Sequence, residues 1–418
     1  MKQSEVVNDG TRTRDRLTPV AAQPMVLRLC SFGLVLLSLT ISLEIYSFFF
    51  LRYAADSGWQ PDYLAQPRDR WLTEREAWGA WHVSSHSSRQ EGRCFSVALR
   101  SNSYGARDRE REMTGDPHRT IVLGDSFAEG WGVEEHQRLS NLLETRLNRE
   151  FLNFATENDF GPLQYQIIYE HLASRFSHDR VLILFLPDND FTDNDVDYWS
   201  RFREDYAERY RPYYQASGAE GYRPFYPLPK PTDDSADGRA VSSGGWTADA
   251  ARLLRRNSSS LAMYRFARMI LYRGLSYSGY FDFTDDQLQA VLWSFRKIKA
   301  LAGDRSVTIV VIPRQSDFRR VEKSGDNPLM AKLNRFGLEN EIEIADLLSL
   351  MPRLEPRTER YYLRCDGHWS AEGNAVAAQA ALSAMRPRQS VTGAMDKPSG
   401  LRARFGSQAE LSMRADTR

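Results

Sequence analysis

"IVLGDSFAEGWG", residues Ile121 to Gly132, sets an acid and a hydroxyl side by side at the point where an apolar run stops at a glycine. The ordinary explanation is a buried strand that ends in a turn, with Asp125 or Ser126 capping the helix that follows. The sharper one is that Ser126 is a nucleophile held at the carboxyl edge of a sheet, where ligands of open α/β sheets bind. The rest of the chain bears on which of the two applies.

Short apolar strands alternate with amphipathic helices from this point onward. Strands are expected at Thr120 to Leu123, Phe151 to Ala155, Val181 to Leu186, Val307 to Ile312 and Ile342 to Ala345. Leu139, Leu142, Leu143 and Leu147 make one helical stripe. Leu288, Val291, Leu292, Phe295 and Ile298 make another, behind a Thr284 to Gln287 capping box. Runs such as "VLILFL" and "VTIVVI" are apolar on both faces, as strands of a parallel sheet covered by helices must be. The fold class expected is therefore a three-layer α/β/α sandwich.

Upstream, Leu29 to Leu51 is a run of 23 residues with Glu44 as its only charge. As a helix it would reach ~35 Å, enough to cross a ~30 Å hydrocarbon core. An uncleaved transmembrane anchor is expected over 29–51 rather than a signal peptide, because Tyr53 occupies the first small position of any cleavage site. Arg12, Arg14, Arg16 and Arg28 precede the run, so residues 1–28 should be a cytoplasmic tail and the bulk should lie outside, as in a periplasm. Glu44, near the far end, can reach toward the headgroups.

Residues 52–100 read as a linker, on the strength of the polar stretch "HVSSHSSRQEGR". His82 and His86 within it could be taken for a metal pair, but no third ligand stands nearby, so no metal site is expected there. Residues 101–385 should form the main domain, and 386–418 a flexible tail. Inside that domain the stretch 190–284 is far too long for a crossover; its aromatic residues and prolines suggest an ordered lid over the site, with a floppy insertion or a protein-docking surface as the other readings. Cys94 and Cys365 would share the outer compartment, either as a disulfide or as two unpaired thiols. With 55 basic and 55 acidic residues the chain has no net field, which argues against nucleic acid or an anionic surface as its main partner.

A serine hydroxyl needs a base within hydrogen-bond reach, itself oriented by a third group. "CDGHWSAEGNAVAAQAAL", Cys365 to Leu382, places Asp366 and His368 in a loop just before a helix that Ser370 could cap. An acid two residues before a histidine can turn back onto the ring Nδ1 and leave Nε2 for the serine proton. "LFLPDNDFTDND", from Leu184, ends the third strand and brings Asn189 to the same edge, where its amide could stabilise an oxyanion. The acids at Asp188, Asp190, Asp193, Asp195 and Asp197 could suggest a calcium loop, but Asp193 and Trp199 stand where an EF-hand needs glycine and glutamate.

These pieces together resemble the SGNH, or GDSL-type, hydrolase family: "GDSF" at Gly124 to Phe127, "FG" at Phe160 and Gly161, "DND" at Asp188 to Asp190 and "DGHW" at Asp366 to Trp369. "SNSYGARDRE", from Ser101, is similar to the lead-in of membrane-anchored bacterial members. The resemblance implies a flavodoxin-like sheet, with Ser126 as nucleophile, His368 as base and Asp366 as its orienting acid. It implies oxyanion donors from the Ser126 backbone, a backbone amide of the second block and the Asn189 side chain, and no cofactor. In "NFATENDFGPLQ" the sequence departs from the pattern, with Asn158 where relatives carry the oxyanion glycine and Gly161 three residues later. The function implied is an envelope-anchored serine esterase or O-acyltransferase acting on an acylated carbohydrate or lipid. A carbohydrate-binding or assembly protein that keeps the fold without turnover is the alternative.

Overall fold

The chain is described here by a computed structural model over residues 23–54, 72–203, 206, 209–231, 246–274 and 277–385. The tail expectation for 386–418, and most of the cytoplasmic tail, lie outside these residues. Helix α1 (Gln23–Phe49) continues through a wider turn over Phe50–Ala54, and the apolar helix over Met25–Tyr53 is long enough to cross a membrane. It starts earlier than expected, since Met25, Leu27 and Arg28 are good helix formers.

Residues 72–100 are a correction. Instead of a linker they form two antiparallel hairpins, β1 (Leu72–Glu76) with β2 (Gly79–His82) and β3 (Ser87–Glu91) with β4 (Ser96–Arg100). A few large side chains explain it: Trp78, Trp81, Val97 and Leu99 are buried, and Trp81 Nε1 donates to the Tyr104 carbonyl at 2.8 Å. Alternation with only one face buried leaves a polar average composition, which by itself looks like a connector.

The central sheet has five parallel strands, β5 (Thr120–Leu123), β6 (Phe151–Asn153), β7 (Arg180–Phe185), β10 (Ser306–Val311) and β11 (Ile342–Asp346), with β8 and β9 in a separate hairpin described below. Their order across the sheet is β11-β10-β7-β5-β6, the flavodoxin-like arrangement. Pairing sets Thr120 against Phe151, Ile121 against Val181, and Val307 against both Val181 and Ile342. Successive side chains point to opposite faces. Ile121, Leu123, Val181, Ile183, Val307 and Ile309 meet α4 (Pro162–His171), α9 (Asp285–Ala302) and α11 (Pro328–Asn340). Val122, Leu182, Leu184 and Val310 meet α3 (Leu139–Leu147), α12 (Leu347–Leu354) and α13 (Ala371–Met385). Each such buried side chain contributes about 1.5–3 kcal/mol, which is why both faces of these strands are apolar. α9 starts at the capping box expected, Thr284 and Gln287 each accepting the other's backbone N–H at 3.1 Å.

The short helix α2 (Ser126–Glu129) follows β5, α5 (Pro187–Asp193) and α6 (Val196–Phe202) follow β7, and α10 (Gln315–Ser324) follows β10. The insertion then supplies a hairpin of β8 (Tyr213–Ala216) and β9 (Tyr222–Phe225), and helices α7 (Trp246–Asn257) and α8 (Ser259–Arg273). Tyr213 is buried against Trp199, and the Tyr214 hydroxyl meets Ser294 of α9 at 2.8 Å. The hairpin thus belongs to the packed domain. Glu44 of α1 does not point to open solvent: its carboxylate accepts from Ser258 and from the Ser259 amide at the start of α8.

Candidate active site

Strand order reverses between β5 and β7, so the turns after these two strands open onto one crevice. Ser126 stands at the first turn and Asn189 at the second. Asp125 caps α2, its Oδ1 accepting from the Phe127 amide at 2.9 Å, which leaves Ser126 as the first helical residue with its side chain at the sheet edge. The backbone N–H of a first helical residue has no partner within its helix.

Asp366 and His368 arrive from the other end of the chain. Tyr362 and Trp369 form an isolated antiparallel bridge, and the Leu363 amide donates to the His368 carbonyl at 2.7 Å, so "RCDGH" is a tight loop. Gly367 sits at φ +80 between the acid and the histidine, a conformation side chains resist, and the turn folds Asp366 back onto the ring. Asp366 Oδ1 lies 2.9 Å from His368 Nδ1 and accepts the His368 amide at the same distance, while His368 Nε2 lies 2.9 Å from Ser126 Oγ. With Nδ1–H donating to the carboxylate, the neutral ring presents Nε2 as an acceptor to the serine hydroxyl. Burial pushes the Asp366 carboxyl up, but hydrogen bonds from the His368 ring and amide and from Trp131, with the His368 charge, outweigh it and hold it below the usual carboxylate range.

Asn189 Nδ2 lies 3.3 Å from Asp125 Oδ2, so one amide hydrogen faces Asp125 and the second remains for a ligand. Asp125 is fully buried, and desolvation raises its pKa despite the Phe127 amide, the His368 charge and the Asn189 hydrogen bond.

The second block is placed differently. Asn158 has φ +81 and Asp159 φ +59, so the departure from glycine is tolerated in the way asparagine and aspartate allow. Asn158 Nδ2 contacts Glu74 Oε1 at 3.4 Å, and the Gly161 amide donates to Gln164 Oε1 at 3.1 Å at the start of α4. Asp159 pairs with Arg203 and Arg209, each at 2.9 Å, and those charges outweigh burial to hold its carboxyl well below the usual range. Ser126, His368, Asp366 and Asn189 are thus gathered at one edge, while the Asn158 side-chain amide and the Gly161 backbone amide are engaged within the domain.

The acids after β7 are likewise structural. Asp190 accepts from the Tyr165 hydroxyl and the Leu186 amide, and Asp195 caps α6. Among the described residues no group of three or more His, Cys, Asp and Glu side chains could hold a metal ion. His82 is buried against the Gly105 carbonyl, Glu129 and Thr156.

Trp131, Gly130, Phe127 and Arg314 also shape the site, and no role for any of them is read from the sequence. Trp131 donates through Nε1 to Asp366 Oδ2, its ring centroid 5.4 Å from that of His368. Gly130 at φ +91 ends α2 and turns the chain so that Trp131 comes back over the site. Phe127 packs against His368 with ring centroids 4.8 Å apart, and Arg314, after β10, lies over Phe127 with Nε 3.5 Å from Asp188 Oδ2. Their only signal was proximity to "GDS" and to a strand end. The Cys94–Cys365 disulfide, one of the two readings left open, ties the turn between β3 and β4 to the residue before Asp366. Phe95 in that turn meets the edge of Trp131 at 6.1 Å.

Residues 307–409 match the family model described as SGNH hydrolase-like domain, acetyltransferase AlgX. The match covers Asp366 and His368 and bears out the resemblance drawn from the short motifs. Similar solved structures include a member of the lipolytic protein G-D-S-L family from Veillonella parvula, with 11% identity over 64% of this chain and 97% of that one and a TM-score of 0.34. The lipase Lip_vut3 from a goat rumen metagenome has 11% identity over 65% of this chain and 99% of its own, with a TM-score of 0.32. The lipase/acylhydrolase from Enterococcus faecalis has 13% identity over 64% and 94%, with a TM-score of 0.30. No curated protein sequence matches the chain.

Proposed function

We propose that the protein is a membrane-anchored serine acyltransferase or esterase that works outside the cytoplasm on an acyl ester of a carbohydrate. The observation that carries this is the unbroken line Asp366–His368–Ser126, with 2.9 Å at both contacts, at the crevice where strand order reverses. The match to a family described by an acetyltransferase favours an acetyl group.

Ser126 Oγ attacks the acyl carbonyl as its proton passes to His368 Nε2, and Asp366 stabilises the resulting imidazolium. The oxyanion forms toward the Ser126 amide and the Asn189 side chain, donors whose orientation is fixed before the charge develops. The imidazolium returns the proton to the departing alkoxide, which leaves an ester on Ser126. Water or a sugar hydroxyl, deprotonated in turn by His368, then takes the acyl group and restores the serine.

Two features support this topology. The arginines ahead of the apolar helix favour a cytoplasmic N-terminus, and a disulfide such as Cys94–Cys365 persists in oxidising compartments.

The test is turnover of a soluble acetyl ester by the purified full chain, with and without an oligosaccharide acceptor, beside Ser126→Ala. Turnover should fall to background in the variant, and acetylated acceptor would mark transfer rather than hydrolysis. Undiminished turnover by Ser126→Ala would end the proposal. A second reading, a carbohydrate-binding protein without turnover, is favoured by the engaged Gly161 amide, and requires glycan binding with no ester cleavage.

A further inference from the structure

The apolar helix divides into two parts by what surrounds it. Met25 to Leu43, nineteen residues, are exposed all round. At ~1.5 Å per residue they reach ~28 Å, close to the ~30 Å of a hydrocarbon core. From Glu44 onward one side packs against the domain: Glu44, Phe48 and Phe50 are half-buried, and Ser47 and Leu51 are buried. Positions 44, 47, 48 and 51 form a single helical stripe. Read as an anchor, the helix therefore leaves the hydrocarbon at about Glu44.

What meets it there is the junction between α7 and α8. The Glu44 carboxylate accepts from Ser258 Oγ at 2.6 Å, from the Ser259 amide at 2.7 Å and from the Ser260 amide at 3.3 Å, and Phe50 meets the edge of Phe266 at 6.5 Å. A carboxylate at a helix N-terminus satisfies donors that would otherwise lack partners and complements the helix dipole. This contact fixes the end of α7 at the level where the span ends.

α7 has the pattern of a helix that lies in a membrane surface. Trp246, Leu253 and Leu254 share one face, being seven and eight residues apart, and are 83%, 67% and 61% exposed. By helical spacing Arg255 lies on the opposite side and Arg256 at the border of the face beside Leu253. An apolar face with a Trp, flanked and backed by arginines, is the interfacial pattern.

We propose that α7 lies in the outer headgroup layer of the membrane crossed by α1, with Trp246, Leu253 and Leu254 among the acyl chains and Arg255 and Arg256 at lipid phosphates. This rests on α1 being the membrane anchor. The occupant is lipid because α7 ends at Asn257, one residue before the Ser258 that binds Glu44, and so reaches the depth where the span ends. α8 carries the consequence to the site. Its fifteen residues span ~22 Å, and at its far end Arg273 donates to the Asp188 carbonyl at 3.0 Å and to Thr192 Oγ1 at 2.7 Å, on either side of Asn189. The helix bearing the oxyanion amide is thus held about one helix length from the membrane surface, which suits a substrate delivered at that surface.

The experiment uses the full chain in nanodiscs of phosphatidylcholine and phosphatidylglycerol, one chain per disc, with an environment-sensitive fluorophore on one of two cysteines. One is native Cys30, within the span; the other is Leu253→Cys in a Cys30→Ser background. Nitroxide-bearing lipids should remove most of the emission at both positions, the shallow nitroxide acting more strongly than the deep one at position 253. Quenching at Cys30 with none at position 253 overturns the proposal and leaves the anchor standing. That holds whether aqueous iodide reaches the probe, as for a bare face, or fails to, as for a face covered by protein. No lipid quenching at either position overturns the anchor as well.

Discussion

Two loops at the carboxyl edge of the sheet, the second block from Asn153 to Gly161 and the loop from Cys365 to Trp369, carry comparable densities of polar residues and part company in what those residues touch. In the second block Asp159 answers to Arg203 and Arg209, the Gly161 amide to Gln164 and Asn158 to Glu74. In the other, Asp366 and His368 line up toward Ser126, and the Nε2–Oγ contact joins two elements 242 residues apart. A motif marks a site when its polar atoms converge on a space a ligand can enter, and marks architecture when they are satisfied among themselves.

Substitutions should separate the two loops. Asp366→Asn, which keeps the shape but favours the wrong His368 tautomer, should lower kcat about 10³-fold or more with little change in thermal stability. Asp159→Asn should do the reverse, costing about 2 kcal/mol in chemical denaturation because Arg203 and Arg209 each lose a charged hydrogen bond, with kcat of the folded protein nearly unchanged. A large kcat loss in Asp159→Asn would move the second block into the site.

A smaller effect tests the oxyanion donors in the same way. Asn189→Ala should lower kcat about 10²-fold, with KM close to that of the parent, since the amide is aimed at charge that develops late. Gly161→Ala should act on stability instead, because an added methyl would collide with the Asn194 side chain and the Asp193 Cβ. Steady-state kinetics beside melting curves for the pair would decide whether Gly161 belongs with Asn189 or with the scaffold.

The smallest effect concerns Trp131. Trp131→Phe keeps the ring beside His368 and removes one donor to Asp366, so kcat should fall about 3- to 10-fold. The variant should also shift the acid limb of the pH profile. The Asp366 carboxyl is held low in the folded protein, so its contribution is present above the ordinary carboxylate range and is lost as pH falls through the lowered value. Without the Trp131 hydrogen bond that value rises, and activity and stability should be lost at a higher pH than in the parent. An unchanged acid limb would show that Trp131 only fills space.

The sheet was legible because "VLILFL" and "VTIVVI" are apolar on both faces, a pattern few other environments produce. Ser126, Asp366, His368 and Asn189 were legible because each sits just after a strand or just before a helix. Residues 72–100 were not, since the large buried apolar side chains, Trp78, Trp81, Val97 and Leu99, are diluted among polar residues. Trp131 stood in the opening motif, yet its partner lies 235 residues away. The Cys94–Cys365 pair spans 271 residues, and sequence alone has no rule that brings such ends together.

The most direct test of the central claim is covalent labelling of the full chain with a fluorophosphonate, which reacts with a serine activated by a base. The account predicts a single adduct on the peptide containing Ser126, absent in Ser126→Ala and nearly absent in His368→Ala. An unlabelled parent that still unfolds cooperatively, or a label that survives Ser126→Ala, would contradict it.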